Sequence, residues 1–136
     1  MASNRLWGNT DKKTVILDSS AILMLFEFSI DLEDELTRLL GKYHVIIPKP
    51  IFKELEFLSI HGKGKKKLIA KPALDLIKKF ELVDLDKAVK GDDAVFHMAQ
   101  KLQGIVVTND RELRKRLKEI SIPVIFLRAK KKLSLD

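Results

Sequence analysis

Cysteine is absent from the 136 residues, which excludes a disulfide framework and any thiolate-bound zinc site. Long apolar runs are missing too. The longest, Ala21 to Phe26, is far short of the roughly 18 to 20 residues that span a bilayer, and no signal-peptide-like stretch opens the chain. A membrane partner is therefore not expected, and the cytoplasm is the expected location. The histidines His44, His61 and His97 show no paired spacing of the HxxxH kind, so a histidine metal centre finds no support and they are kept out of the candidate site. Finally, no acid lies between Phe57 and Leu74, while Lys63, Lys65, Lys66, Lys67 and Lys71 gather around Gly62 and Gly64. That segment reads as an exposed basic loop.

What is present suffices for one domain with an apolar core. The net charge of +7 favours an anionic partner, since each lysine or arginine that neutralises a phosphate releases counterions. Residues 1–12 carry no periodic pattern and are expected to form a flexible leader. Residues 13–128 are expected to form the domain, and 129–136 a basic C-terminal tail.

Thr14 to Leu17 reads as a strand buried on both faces, ending at Asp18. Ser19 or Ser20 can cap a helix through Phe28, and a second helix runs from about Asp31 to Gly41. His44 to Ile47 is a second strand. Pro50 suits the first turn of a helix reaching about Ile60, and a further helix is expected from Pro72 to Phe80. Leu82 to Leu85 is a weaker strand. Gly91-Asp92-Asp93 opens a helix through Leu102 that Gly104 closes. Ile105 to Thr108 is a strand, Asn109 with Glu112 makes a capping-box-like start to a basic helix, and Val124 to Leu127 is the last strand. Strands alternating with helices give an α/β fold with a parallel sheet covered on both faces, whose ligands bind beyond the carboxyl ends of the strands. Asp18 and Asp110 both fall there.

An acid at a helix start is ordinarily a cap or a dipole partner, so the case for a site rests on the set. Asp92 stands three before Val95, on the side of the stripe Val95, Met98, Ala99 and Leu102, whereas Asp93 is turned about 100° further round. Asp92 is the preferred ligand, with Asp93 solvated or accessory. Asp110 stands three before Leu113, in the stripe Leu113, Leu117 and Ile120. Glu54 and Glu56 border opposite sides of the stripe Ile51, Leu55 and Leu58, and helical arithmetic does not choose between them. Carboxylates crowded in one pocket repel, and the usual resolutions are a raised pKa or a hard divalent cation such as Mg2+ or Mn2+. Such a cation activates water for attack on phosphorus, so the chemistry needs neither histidine nor cysteine.

With these residues in hand, the chain resembles the PIN-domain nucleases, through TVILDSSAIL, IIPKPIFKELEFL and KGDDAVFHMAQKLQGIVVTND, from about Thr14 to Leu127. The resemblance implies a three-layer α/β/α sandwich with about five parallel strands in the order 3-2-1-4-5. It implies metal on Asp18, Glu54, Asp92 and Asp110, with Asp93 as an additional candidate, and it selects Glu54 over Glu56. It implies cleavage of single-stranded RNA to a 5′ phosphate and a 3′ hydroxyl. Ser20 and Thr108 match small hydroxyl positions that hydrogen-bond the acids. Within the family, TNDRELRKRLKEISIPVIFLR with GDD is similar to the ribosome-biogenesis branch, the small-subunit processome endonuclease type in its archaeal single-domain form, acting on precursor rRNA. The alternatives are a VapC-type toxin ribonuclease acting on tRNA or rRNA, and an RNA-binding assembly factor that does not cut. Candidate RNA contacts are Lys63, Lys65, Lys66 and Lys67, with Arg111, Arg114, Lys115 and Lys118 on the last helix. Candidate partners are RNA, ribosome-assembly proteins or an antitoxin, and a second copy of the chain.

Overall fold

Val15, Ile16 and Leu17 are fully buried in β1 (Lys13–Leu17). Successive strand residues point to opposite faces, so burial of all three means that the sheet is covered on both sides there. The computed structural model describes residues 12–84 and 90–136. The expected leader lies outside the described residues except for Lys12, as does Leu85 at the end of the weak strand.

β1 pairs in parallel with β2 (Tyr43–Pro48) on one side and β4 (Ile105–Val107) on the other, so that Ile16 faces Ile46 and Val106. β3 (Glu81–Val83) extends the sheet beyond β2, and β5 (Val124–Arg128) extends it beyond β4, both in parallel. The order 3-2-1-4-5 is the expected one. After β3 the chain crosses to the other half of the sheet, which makes the gap between the carboxyl ends of β1 and β4 a topological switch point. Asp18 follows β1, and Thr108 follows β4.

The helices are α1 (Ser19–Glu27), α2 (Leu32–Leu40), α3 (Lys49–His61), α4 (Lys65–Ile77), α5 (Gly91–Leu102) and α6 (Arg111–Glu119). α1, α3 and α4 pack together, while α5 packs on α6 and across β1, β2 and β4. Leu102, expected on the inward stripe of α5, is 43% exposed, and Ala94 is buried instead. Gly104 closes α5 only through its N–H, which donates to the Ala99 carbonyl at 3.3 Å. The left-handed turn is made by Gln103, with φ 52°. Gly104 serves the sheet instead, because a Cβ there would stand 3.1 Å from the Thr14 carbonyl oxygen and 3.2 Å from Ile16 Cδ1. Glycine thus lets β4 begin flush against β1.

Two segments differ from their sequence reading. The basic stretch is a loop only as far as Gly64, because α4 starts at Lys65 rather than Pro72 and carries Pro72 in its interior. Ala70, Ala73 and Ile77 give that helix a buried stripe. Pro72 leaves the Leu68 carbonyl without its helical donor, and Leu68 is 77% exposed, where solvent can take the bond's place.

The expected C-terminal tail contains a sixth strand, β6 (Lys132–Leu135), antiparallel to β5. Residues 129–131 connect the two strands, and Ala129 and Lys130 both hold positive φ, 56° and 57°, as the centre of a primed turn requires, with the Lys131 N–H donating to the Arg128 carbonyl at 3.2 Å. Leu133 is fully buried. Its N–H donates to Glu35 Oε1 at 2.8 Å, and its carbonyl accepts from Arg38 Nη2 at 2.7 Å. The Arg38 hydrogen bond holds the Glu35 carboxyl below its ordinary pKa, with a further contribution from the Leu133 N–H. A truncation at Leu133 should be destabilising for that reason. Leu133→Ala is expected to lower unfolding free energy by about 2–5 kcal/mol in a denaturant titration, which a disordered tail residue would not do.

Candidate active site

Asp18 is 2% exposed and stands at the N-cap position of α1, yet its side chain makes no capping bond. The cap explanation, reasonable for any single acid, does not hold for it. Instead Oδ2 accepts from Ser20 Oγ at 2.7 Å and from Thr108 Oγ1 at 2.7 Å. Among the described residues every hydrogen bond to this carboxylate falls on Oδ2, leaving Oδ1 available to a ligand. The expectation that Ser19 or Ser20 caps α1 fails for the same reason. Both serines lie inside the helix, with Ser20 on Asp18 and Ser19 Oγ donating to Glu54 Oε1 at 3.3 Å.

Thr108 is fully buried and joins two acids. Its hydroxyl donates to Asp18 and accepts from the Asp110 N–H at 3.1 Å. Asp110 itself caps α6 through Oδ1, accepting from the Glu112 N–H at 2.9 Å and the Leu113 N–H at 3.1 Å. The cap assigned to Asn109 therefore belongs to Asp110, one residue later, and with Leu113 at the third helical position it is a single cap and not a capping box. Asn109 Oδ1 instead accepts from the Leu127 N–H at 2.9 Å, tying the loop to β5. Asp110 has a structural duty that Asp18 lacks, but it also lies near enough to Asp92 to help raise that carboxyl's pKa.

Glu54 reaches from the second turn of α3 towards Gly91 and Ser19. A Cβ on Gly91 would lie 3.2 Å from Glu54 Oε2, so glycine allows the start of α5 to approach this carboxylate closely. Although the residue has solvent on its outer side, its carboxyl pKa is raised. Burial is the main cause, followed after the opposing Ser19 bond by the negative charges of Asp18 and Asp92. The Asp92 pKa is raised too: by desolvation first, then by Asp18 and Asp110, against a small opposing effect of Arg116. Glu54 thus feels Asp18 and Asp92, and Asp92 feels Asp18 and Asp110, as neighbours in one site do.

The structure brings together Asp18, Glu54, Asp92 and Asp110 with Ser20 and Thr108, and leaves Asp93 outside. Asp93 Oδ1 accepts from Arg116 Nη1 at 3.1 Å, and that guanidinium lies 4.4 Å from the centre of the Phe96 ring, an arrangement that clamps α5 to α6. Arg114 is likewise engaged, stacked 4.0 Å from the Phe126 ring centre and 3.5 Å from Asp136, and is not a free phosphate contact. Arg111, Lys115 and Lys118 are exposed on α6, as are Lys63 and Lys65 to Lys67 at the start of α4 and the loop before it. His44 pairs with Glu81 at 2.7 Å at the sheet edge, away from the acids. Ser19 and Gly91 were not legible as site residues, since their roles depend on the approach of α1, α3 and α5.

The donor set suits a hard divalent cation: all oxygen, crowded, and with one oxygen of a buried carboxylate unused. Among the described residues no three acids already enclose a single point. That is compatible with Mg2+, which commonly uses one or two carboxylates and keeps several waters.

A profile of the family described as "PIN like domain" matches residues 15–130, and the chain belongs to the PIN-domain nuclease family. It is similar to Ribonuclease VapC4 of Methanocaldococcus jannaschii, with 37% identity over 121 residues, 86% of this chain and 92% of that protein. Its similarity to Ribonuclease VapC9 of Archaeoglobus fulgidus is 29% identity over 128 residues, 94% of this chain and 93% of that one. Among solved structures, the PIN domain endonuclease Utp24 superposes with a TM-score of 0.77 and 25% identity, over 93% of this chain and 92% of that one.

Three outcomes follow from the geometry. Thr108→Val removes the donor to Asp18 and the acceptor of the Asp110 N–H. It should cost about 1–3 kcal/mol of stability and roughly 10–100-fold in nuclease activity, whereas Thr108→Ser should remain near the parent in both assays. A carboxyl whose pKa rises on folding contributes stability at low pH that is lost as pH rises through its folded value. Without divalent metal, Glu54→Gln should therefore raise Tm at pH 7, and the gain should vanish by about pH 4, where carboxyls are protonated in either state. Mg2+ at a hundredfold excess over Kd should stabilise the parent by about 2.7 kcal/mol and the variant by less.

Proposed function

We propose that the protein is a metal-dependent endoribonuclease that cuts single-stranded RNA by water attack on the phosphodiester, leaving a 5′ phosphate and a 3′ hydroxyl. The observation that carries the reading is Asp18. It is a buried carboxylate at the sheet's switch point, oriented by two hydroxyls through one oxygen, and its charge is felt by both Glu54 and Asp92. Mg2+ or Mn2+ would be held by the set Asp18, Glu54, Asp92 and Asp110, one or two directly and the others through water, and would supply charge neutralisation and activation of the attacking water. The chain's own part is positioning. Ser20 and Thr108 fix the plane of Asp18, the α6 N-terminus fixes Asp110, and Ser19 with the glycine at position 91 fixes Glu54.

Sequence motifs alone put precursor rRNA first and a VapC-type toxin second. The comparisons reverse that order. Two ribonucleases named VapC match along nearly their whole length, so the favoured finer reading is a VapC-type ribonuclease acting on tRNA or rRNA and restrained by an antitoxin. The likeness to Utp24 supports rRNA processing as the second reading. Either reading implies a cytoplasmic protein, and no described helix is long and apolar enough to cross a membrane.

Purified protein should cleave RNA in Mn2+ or Mg2+ and stop in a chelator, and Asp18→Asn should reduce cleavage by at least about 100-fold. Cleavage undiminished by Asp18→Asn would refute the mechanism. Growth arrest on expression, relieved by Asp18→Asn, favours the toxin reading. Accumulation of unprocessed rRNA when the protein is depleted favours maturation.

A further inference from the structure

Phe57 is 62% exposed on α3, with Ile60 at 66% beside it and Leu68 at 77% on α4. Large apolar side chains rarely gather in the open without a use. Phe57 follows Glu54 by three residues, about 4.5 Å along the helix axis and about 60° round it, so the ring lies one turn beyond the acidic site on neighbouring helix surface. His61, seven residues after Glu54, is about 20° from the same line. The two rings are in contact, with centroids 4.7 Å apart and an interplanar angle of 41°. The chain then turns through Lys63 into the exposed Lys65, Lys66 and Lys67 of α4, in a stretch without a single acid.

An aromatic face bordered by lysines is the arrangement that holds unpaired nucleotides, stacking for the base and cations for the phosphates. A second copy of this chain would bring the same lysines against themselves. We infer that Phe57, backed by His61, is a stacking platform for one base of a single-stranded RNA. The flanking phosphates run along Lys63 to Lys67, and the scissile bond is placed at the acids one turn back. The inference deepens the ribonuclease reading and rests on it. It adds a residue that positions substrate without taking part in bond breaking.

The test uses the full-length protein in EDTA, so that binding is read without cleavage, and a short single-stranded RNA carrying 2-aminopurine. Phe57→Ala should weaken binding about tenfold, since stacking on one aromatic is commonly worth that much or more, and should abolish the fluorescence quenching that stacking produces. Phe57→Tyr should restore both. The dependence of affinity on salt should keep its slope in Phe57→Ala, because no charge is lost, and should flatten when Lys65, Lys66 and Lys67 are replaced by glutamine. Unchanged affinity and quenching in Phe57→Ala would overturn the inference, as would a shift from dimer to monomer in sedimentation with RNA binding intact, which would assign the patch to a second copy. Binding that depends on Phe57 in a protein that cuts no RNA with any divalent metal would retain the platform and reject the nuclease reading. Cleavage with no role for Phe57 would do the reverse.

Discussion

A single buried carboxylate constrains this structure more than any other group. An ionised side chain removed from water is strongly unfavourable unless it is hydrogen-bonded. Asp18, at 2% exposure, is hydrogen-bonded by two hydroxyls that arrive from different parts of the chain, Ser20 from the first turn of α1 and Thr108 from the end of β4. For Thr108 to arrive, β4 must lie directly against β1, and Gly104 permits that close start. The crossover that separates the sheet into halves, the glycine that lets the halves touch and the threonine that bridges them thus serve one oxygen atom. The other oxygen is left for chemistry.

The remaining acids load the fold with electrostatic conflict. Asp92 and Glu54 both have raised pKa values, each pushed up by burial and by negative neighbours. Asp110 is in a different position, since its second duty as the cap of α6 gives it two backbone hydrogen bonds. This inequality separates functional from structural demands. A site residue that also caps a helix is constrained twice, whereas Asp92 and Glu54 are held near Asp18 against their own electrostatic preference. Sites that carry function commonly show this kind of local conflict, and a cation or a proton removes it.

The fold was largely legible because its strands are short apolar runs closed by polar residues, and β1 in particular could hardly be anything else. Asp18 and Asp110 could be placed from strand ends, and Asp92 could be preferred to Asp93 from helix phase. Asp93 is indeed turned away, to Arg116. Glu54 could not be separated from Glu56 by phase, because both border the buried stripe. What distinguishes them is the approach of α5 through Gly91, a tertiary fact with no local signal. β6 has a weak sequence signal because Ala129-Lys130 occupies a turn whose usual signature is Asn-Gly or Asp-Gly, and because its only fully buried side chain is Leu133. The start of α4 is masked by Pro72, which fits the first turn of a helix as well as it fits an exposed interior face where the missing donor matters little.

The basic residues illustrate the same boundary between composition and structure. A net charge of +7 says that an anion is favoured, but not where. Arg38, Arg114 and Arg116 are each committed to holding elements together, through the Leu133 carbonyl, through Phe126 with Asp136, and through Asp93 with Phe96. The guanidinium suits such planar, multiply bonded contacts. The exposed cations of the α3–α4 corner are all lysines, long and strongly hydrated, which suit a phosphate chain read as charge rather than as fixed geometry. Selectivity for a particular RNA would then have to come from uncharged surface, and the exposed ring nearest that corner is Phe57. On this view the acids decide what reaction occurs, the lysines bring RNA of any sequence close, and the shape around Phe57 selects an unpaired base. A maturation nuclease and a toxin can share the first two and differ only in the third.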